Sequence, residues 1–136
     1  DYKKINRLGY LGKYQFGKST LKVLKIDYLK NDFINEPALQ ERAFLMNVMR
    51  NKWILRREIS RFNGLVISDM FITESGIIAA AHLSGPGNVK KFLRSYCDSE
   101  LDLKDANGTK ISDYLKTFKN YNISEIEAVR KPSYIN

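Results

Sequence analysis

The longest helical pattern in the sequence covers residues 37–62, and it constrains the fold more than any other stretch. Apolar side chains recur there at helical spacing and share one broad face: Leu39, Ala43, Met46, Met49 and Trp53, widened by Leu45, Val48 and Ile59. Such a stripe is typical of an amphipathic helix. Pro37 suits a first helical turn, and Asn63-Gly64 is typical of a helix end. We therefore predict one central helix over residues 37–62, with Trp53 in or near the core.

Shorter segments predict additional helices. Residues 18–29 show apolar side chains near helical spacing, and residues 88–96 and 111–118 read in the same way. Thr73 is a candidate N-cap, with Glu74 favourable in the first turn of a helix that continues through an almost wholly apolar run. The helix should end at the Ser-Gly-Pro-Gly sequence that follows this run.

The remaining segments contribute little regular structure. Residues 65–72 fit either a strand or a buried loop, and periodicity does not choose between them. Residues 105–109 predict a plain turn rather than a calcium loop. The tail from Tyr121 shows a mixed pattern, and its last residues, around Pro132, should be irregular. The fold class predicted is mainly α with little or no β, in a single domain over residues 1–136.

Composition excludes several kinds of site. The chain has 136 residues, 43% of them hydrophobic and 28% charged, as in a soluble globular domain. No window is apolar enough for a membrane span. A single cysteine, Cys97, and a single histidine, His82, cannot form an internal disulfide or a His/Cys zinc site. We expect no metal or other cofactor, and we expect Cys97 to be a half-buried residue at a helix end rather than a nucleophile.

The net charge of +8 favours an anionic partner. Nucleic acid, a membrane surface and an anionic cell-wall polymer all meet that condition. The basic residues are spread along the sequence, and no nucleic-acid-binding motif accompanies them. Specific nucleic-acid binding is therefore the weakest of these alternatives.

A glycine-rich and aromatic stretch, residues 9–17, offers the clearest candidate for ligand binding. It combines three glycines and three aromatic residues with one uncharged amide, Gln15. Flat apolar rings beside an amide that both donates and accepts hydrogen bonds suit a neutral glycan. The alternative is a glycine-rich turn that leads into a helix, with Tyr14 and Phe16 in the core. The residues alone leave both interpretations open.

Two stretches of the chain resemble the motifs of lytic transglycosylases with a lysozyme-like fold. In residues 1–21, Gly9, Gly12 and Gln15 match a Gly-x-x-Gly-x-x-Gln loop, and Thr20 falls where the next helix opens. The loop also resembles that of phage-type and secreted muramidases. Residues 80–89 resemble the Ala-Tyr-Asn-Ala-Gly-Pro-Gly segment of the same family.

The sequence differs from the motifs of the family in two respects. His82 and Leu83 stand where the family usually has Tyr-Asn, so an amide that would bind the glycan or its peptide is absent. The catalytic Glu-Ser of the family would precede Asp1. The resemblance therefore implies a domain truncated at its N-terminus, and a chain that is inactive without the preceding residues.

What the resemblance implies for function is binding of peptidoglycan strands in the periplasm or outside the cell. The family cleaves the β-1,4 bond between N-acetylmuramic acid and N-acetylglucosamine with one glutamate that acts as general acid and then as base. Tyr10, Tyr14 and Gln15 would line one wall of the glycan groove, and His82 the opposite wall.

Two alternatives to a cleaving enzyme remain. A lysozyme-like domain could bind glycan strands without cutting them, and a basic helical domain could stack nucleic-acid bases on the aromatic loop. Within the chain, Glu74 is a possible stand-in acid because Glu74-Ser75-Gly76 reproduces the Glu-Ser-Gly string of the family. Its position after Thr73 favours a simpler role in the first turn of a helix.

Overall fold

The computed structural model describes residues 1–134, which form six α-helices and one two-stranded antiparallel sheet. The helices are α1 (Lys18–Val23), α2 (Pro37–Ile54), α3 (Arg56–Phe62), α4 (Glu74–Ser84), α5 (Pro86–Arg94) and α6 (Ile111–Thr117). The strands are β1 (Val66–Ile67) and β2 (Met70–Phe71), and short 3₁₀ turns lie at Phe33–Asn35 and Ser99–Leu101. The mainly α fold class is confirmed.

The chain divides into two compact units. The first unit comprises Asp1–Arg50 and the described residues from Arg130 onward, and the second comprises Asn51–Val129. The boundary falls inside α2. Each unit has its own cluster of buried apolar side chains, so each is described by itself below.

The core of the first unit gathers apolar residues from the glycine-rich loop, α1 and the first half of α2: Leu11, Phe16, Leu21, Leu24, Ile26, Phe33, Leu39, Ala43 and Met46. The helix predicted over residues 18–29 is shorter than expected. It ends at Val23 because Lys25 adopts a φ of 60°, and Ile26 N–H bonds the Leu21 carbonyl at 2.9 Å. This is the Schellman pattern of a helix end, with Leu21 and Ile26 both buried.

The core of the second unit forms around α4, which packs against α5 and α6. The Thr73 side chain accepts a hydrogen bond from Gly76 N–H at 3.2 Å, which confirms the predicted N-cap. The helix ends at Ser84, as predicted. A Cβ on Gly76 would lie 2.9 Å from the Leu115 carbonyl oxygen, so α6 approaches α4 closely only because residue 76 is glycine.

The single central helix predicted over residues 37–62 is wrong, because the helix is interrupted at Leu55. This residue has φ −98° and ψ 13°, outside helical geometry, and its side chain is fully buried. The interruption allows both Leu55 and Phe62 to reach the core of the second unit. Leu45, assigned to the apolar face, is 45% exposed, whereas Trp53 is half-buried.

Residues 65–72 adopt the strand alternative. Ser68 and Asp69 form the connection between β1 and β2, with φ of 50° and 63°, as in a two-residue type I′ hairpin turn. The predicted turn at residues 105–109 is confirmed. Residues 118–134 lack helix and strand, so the irregular structure expected around Pro132 is confirmed as far as residue 134. That expectation also covered residues 135 and 136, which lie outside the described residues.

Candidate functional site

The glycine-rich loop of the first unit is held by a buried amide on α2. Gln40 has no exposed surface, and its Oε1 accepts a hydrogen bond from Lys13 N–H at 2.9 Å. Its Nε2 donates to the carbonyl oxygens of Tyr2 at 2.8 Å and Phe33 at 3.0 Å. One side chain thus fixes the start of the chain, the loop and the turn before α2.

The glycines of the loop serve two distinct needs. Gly9 and Gly12 have φ of 84° and 80°, in the left-handed region that favours glycine. A Cβ on Gly12 would also lie 2.3 Å from Gln40 Oε1, whereas a Cβ on Gly9 would meet nothing within 4 Å. Close approach to Gln40 therefore requires glycine at residue 12.

A carboxylate on the next residue of α2 binds the same loop. Glu41 accepts hydrogen bonds from the Tyr14 hydroxyl at 2.6 Å, the Tyr2 hydroxyl at 2.8 Å and Lys13 Nζ at 3.1 Å. These donors, Tyr14 first, lower the pKa of Glu41. The same cluster raises the pKa of Lys13, chiefly through its hydrogen bond to Glu41. Glu41 is thus held as an anion, which is the opposite of what a general acid requires.

Gln15 is the residue on which the glycan hypothesis depends most. Its φ is 53°, and its Nε2 donates to the Gly12 carbonyl oxygen at 2.9 Å and to the Lys4 carbonyl oxygen at 3.4 Å. Among residues 1–134, no donor contacts its Oε1. The amide is therefore oriented by the loop and keeps an acceptor available to a ligand.

The two predicted tyrosines differ in their surroundings. The Tyr14 ring stacks on Phe44, with ring centroids 4.1 Å apart and planes at 15°. Burial raises the pKa of Tyr14, and its hydrogen bond to Glu41 raises it further. Tyr10, by contrast, is 42% exposed, while Phe16 of the same loop is buried in the core. Tyr14 thus has a structural task, and Tyr10 keeps a ring accessible to solvent.

Glu74 and His82 lie on α4 and belong to the second unit, whereas the loop residues belong to the first. Glu74 forms an ion pair with Lys52 Nζ at 3.4 Å, and its backbone N–H donates to Asn63 Oδ1 at 2.9 Å. The ion pair and the position in the first helical turn match the structural role expected for Glu74. His82 is half-buried in the last turn of α4. The groove lined by both His82 and Gln15 stays a prediction.

Sequence reasoning missed the role of Lys52. Its side chain is 6% exposed, and its Nζ donates to the carbonyl oxygens of Ile126, at 2.8 Å, and Ile123. The tail segment is also fixed by Ser75, which accepts a hydrogen bond from Tyr121 N–H at 3.2 Å. No sequence pattern marks a lysine as buried, because the partners are backbone carbonyls far along the chain.

The described residues offer neither a reactive thiol nor a metal centre. Cys97 is buried just after α5, and burial raises the pKa of its thiol to about 11. Burial, with a hydrogen bond to Asp105, raises the pKa of Tyr114 to about 12. In residues 1–134 no group of three or more His, Cys, Asp or Glu side chains could hold a metal ion. Within that range, none of the helices has both the length and the apolar character needed to cross a bilayer.

Comparisons of the chain with known protein families, curated proteins and solved structures found no match. The class that the structure defines is therefore a mainly helical protein with a polar-anchored, aromatic loop.

Proposed function

We propose that this chain binds peptidoglycan strands through the loop of residues 9–17. The observation that carries the proposal is the Gln15 amide, whose Nε2 donates to the carbonyl oxygens of Gly12 and Lys4 while its Oε1 remains available. Such an oxygen can accept hydrogen bonds from the hydroxyl groups of a sugar and from the N–H of its N-acetyl group. The exposed Tyr10 ring supplies an apolar surface of the kind that packs against a sugar face.

The anchoring of the loop supports this function. Gln40 and Glu41 of α2 fix the loop through hydrogen bonds to Lys13 and Tyr14. Both side chains also form a hydrogen bond with Tyr2, which precedes the loop. A loop already fixed in one conformation loses little entropy when a ligand binds. A weakly held glycine-rich loop would instead have to be ordered by the glycan.

Cleavage of the strand belongs to the same proposal but requires an acid outside the described residues. Within those residues, Glu41 accepts hydrogen bonds from three donors that lower its pKa, and Glu74 is paired with Lys52 at the start of α4. The general acid implied by the lysozyme-like resemblance would precede Asp1. For the chain as given we therefore propose binding without cutting, and for a chain carrying a Glu-Ser before Asp1, lytic transglycosylase or muramidase activity.

Binding is tested by co-sedimentation with purified insoluble peptidoglycan. We expect Tyr10→Ser to weaken binding about tenfold without lowering the melting temperature, because its ring is exposed. Gln15→Ala should weaken binding by a similar factor, with a modest loss of stability from its two loop hydrogen bonds. Tyr121→Ser, which removes another exposed tyrosine, is the matched control.

The proposal fails if Tyr10→Ser and Gln15→Ala sediment like the unchanged chain, or if Tyr121→Ser weakens binding as much as they do. Cleavage is tested separately. Turbidity of a cell-wall suspension should stay constant with this chain and fall when the encoded residues before Asp1 are included and supply a glutamate. If those residues hold no acid, the binding function stands alone.

A further inference from the structure

We infer that the exposed surface of α3 and α5 binds an anionic polymer whose charges are phosphodiesters and which carries no bases. The two packed helices hold six basic side chains and one acidic one, a net charge of +5: Arg56, Arg57, Arg61, Lys90, Lys91 and Arg94, against Glu58. The whole chain has a net charge of +8. Charge that is dispersed along the sequence is thus concentrated by the fold.

Glu58 organises this surface. Its side chain is 4% exposed and accepts a hydrogen bond from Arg94 Nε at 3.1 Å, and its other oxygen lies 3.8 Å from Lys90 Nζ. A buried carboxylate between two cations reduces their mutual repulsion and holds both at the same place. The Arg94 side chain is nevertheless 53% exposed, so it remains accessible to a ligand.

Among residues 1–134, two cations of the surface have neither an ion pair, a side-chain hydrogen bond nor a contact with an aromatic ring. Arg57 directly precedes Glu58 on α3, and Lys91 directly follows Lys90 on α5, and both are exposed. An arginine guanidinium binds phosphate oxygens in a bidentate manner, and a lysine ammonium binds them as a point charge. These two residues are therefore the first candidates for contact with the polymer.

The aromatic side chains beside the surface favour a ligand without bases. The Arg61 guanidinium lies 5.2 Å from the Tyr96 ring centroid and donates to the Tyr96 hydroxyl at 2.6 Å. The Arg56 guanidinium lies 3.9 Å from the Trp53 ring centroid. Proteins that bind single-stranded nucleic acids stack bases on open aromatic faces. Here arginines already cover one face of each ring.

The surface has a defined edge after α5. Three acidic residues follow there, Asp98, Glu100 and Asp102, and the carboxylates of the two aspartates accept local hydrogen bonds. Asp98 Oδ1 accepts from Glu100 N–H at 3.0 Å, and Asp102 Oδ1 accepts from Ser112 N–H at 2.9 Å. A polyanion is therefore expected to contact the helices themselves and to avoid the segment that follows them.

The first unit supplies a matched control surface. A shallow groove of ≈ 520 Å³ there is lined by Lys18, Lys22 and Lys25, together with Asp27 and Tyr28. Lys22 and Lys25 are exposed and have no ion-pair partner among the described residues. Neutralising them removes the same net charge as neutralising Arg57 and Lys91, but elsewhere on the chain.

The test is a fluorescence-anisotropy titration of labelled poly(glycerol phosphate) at several salt concentrations. We expect the double variant Arg57→Gln, Lys91→Gln to bind about tenfold more weakly at low salt. The slope of the logarithm of the binding constant against the logarithm of the salt concentration should decrease in magnitude by about one to two, because two phosphate contacts are lost. Lys22→Gln with Lys25→Gln should change affinity by less than about threefold. All four residues are exposed, so circular dichroism should show both variants folded.

Equal losses in the two double variants would overturn the inference, because net charge alone would then explain binding. Unchanged binding of the Arg57/Lys91 variant would overturn it as well. A labelled oligothymidylate of matched charge forms the second arm of the experiment. If it binds more tightly than poly(glycerol phosphate), the surface is a nucleic-acid site and the proposed ligand class is wrong.

Discussion

The two units place polar side chains of α2 in the interior, but with different results. In the first unit Gln40 is fully buried, and both ends of its amide are hydrogen-bonded. In the second unit Asn51 is 1% exposed, and neither amide atom has a hydrogen-bond partner among residues 1–134. The first amide specifies the conformation of a loop, whereas the second carries a desolvation cost without a bond in return.

This contrast shows where conformational specificity lies. The loop at residues 9–17 owes its geometry to Gln40 and Glu41 rather than to apolar packing alone. The second unit owes most of its organisation to apolar contacts of α4 with α5 and α6. Lys52 is the exception there, because it binds the tail through carbonyl oxygens.

The largest effect should follow from removing the bonded amide. Gln40→Leu leaves Lys13 N–H and the carbonyl oxygens of Tyr2 and Phe33 without this partner. We expect the free energy of unfolding to fall by about 3 kcal/mol, measured by urea denaturation. Asn51→Leu is the matched control, and we expect it to change stability by less than about 1 kcal/mol. Similar losses in the two variants would contradict the contrast.

Loss of the buried ammonium should have the next largest effect. Lys52→Met leaves the carbonyls of Ile123 and Ile126 unpaired and Glu74 without its cation, at a cost of about 2 kcal/mol. Labelling of the Cys97 thiol reports opening of the second unit, because the folded thiol is buried. Labelling should be faster in Lys52→Met and unchanged in Lys91→Met. Equal rates in all three proteins would exclude a role for Lys52.

Alanine substitution at two glycines of the loop distinguishes the cost of a left-handed backbone from the cost of a steric clash with Gln40. Gly9→Ala should cost about 1 kcal/mol, because only the left-handed φ opposes a side chain there. Gly12→Ala should cost about 2 kcal/mol or more, because its Cβ would also displace Gln40. Thermal unfolding of both variants measures the difference. Equal melting temperatures would show that the Gly12–Gln40 contact is not needed.

The smallest effect concerns the anion that binds the loop. The pKa of Glu41 is lower in the folded chain than its ordinary value of 4.5, so it stabilises the fold above that pH and this contribution is lost as the pH falls through the folded value. Because its side chain is 41% exposed, the contribution at pH 7 should be at most about 0.5 kcal/mol.

Glu41→Gln tests this contribution through chemical denaturation at a series of pH values. The variant should be slightly less stable than the unchanged chain at pH 7, and the difference should shrink as the pH falls through the pKa of Glu41 in the folded chain. A stability difference that does not vary with pH would show that charge at Glu41 plays no part.

Particular residues show how far the sequence predicted the structure. The Thr73 cap and the end of α4 follow from local chemistry, and both are confirmed. The ends of α1 and α5 were not predicted, because Lys25 and Tyr96 occupy the left-handed position where glycine is usual. The bonds of Gln40 were equally hidden, since they join residues far apart in the chain.

Binding of glycan by the loop is tested most directly by NMR titration of the isotopically labelled chain with a soluble N-acetylglucosamine–N-acetylmuramic acid oligosaccharide. The account predicts saturable shifts of the backbone amides of residues 9–17 and of the Gln15 side-chain amide. For Tyr10→Ser those shifts should be smaller at the same ligand concentrations, and about ten times more ligand should be needed to saturate them. An absence of shifts in the loop, or shifts confined to α3 and α5, would contradict it.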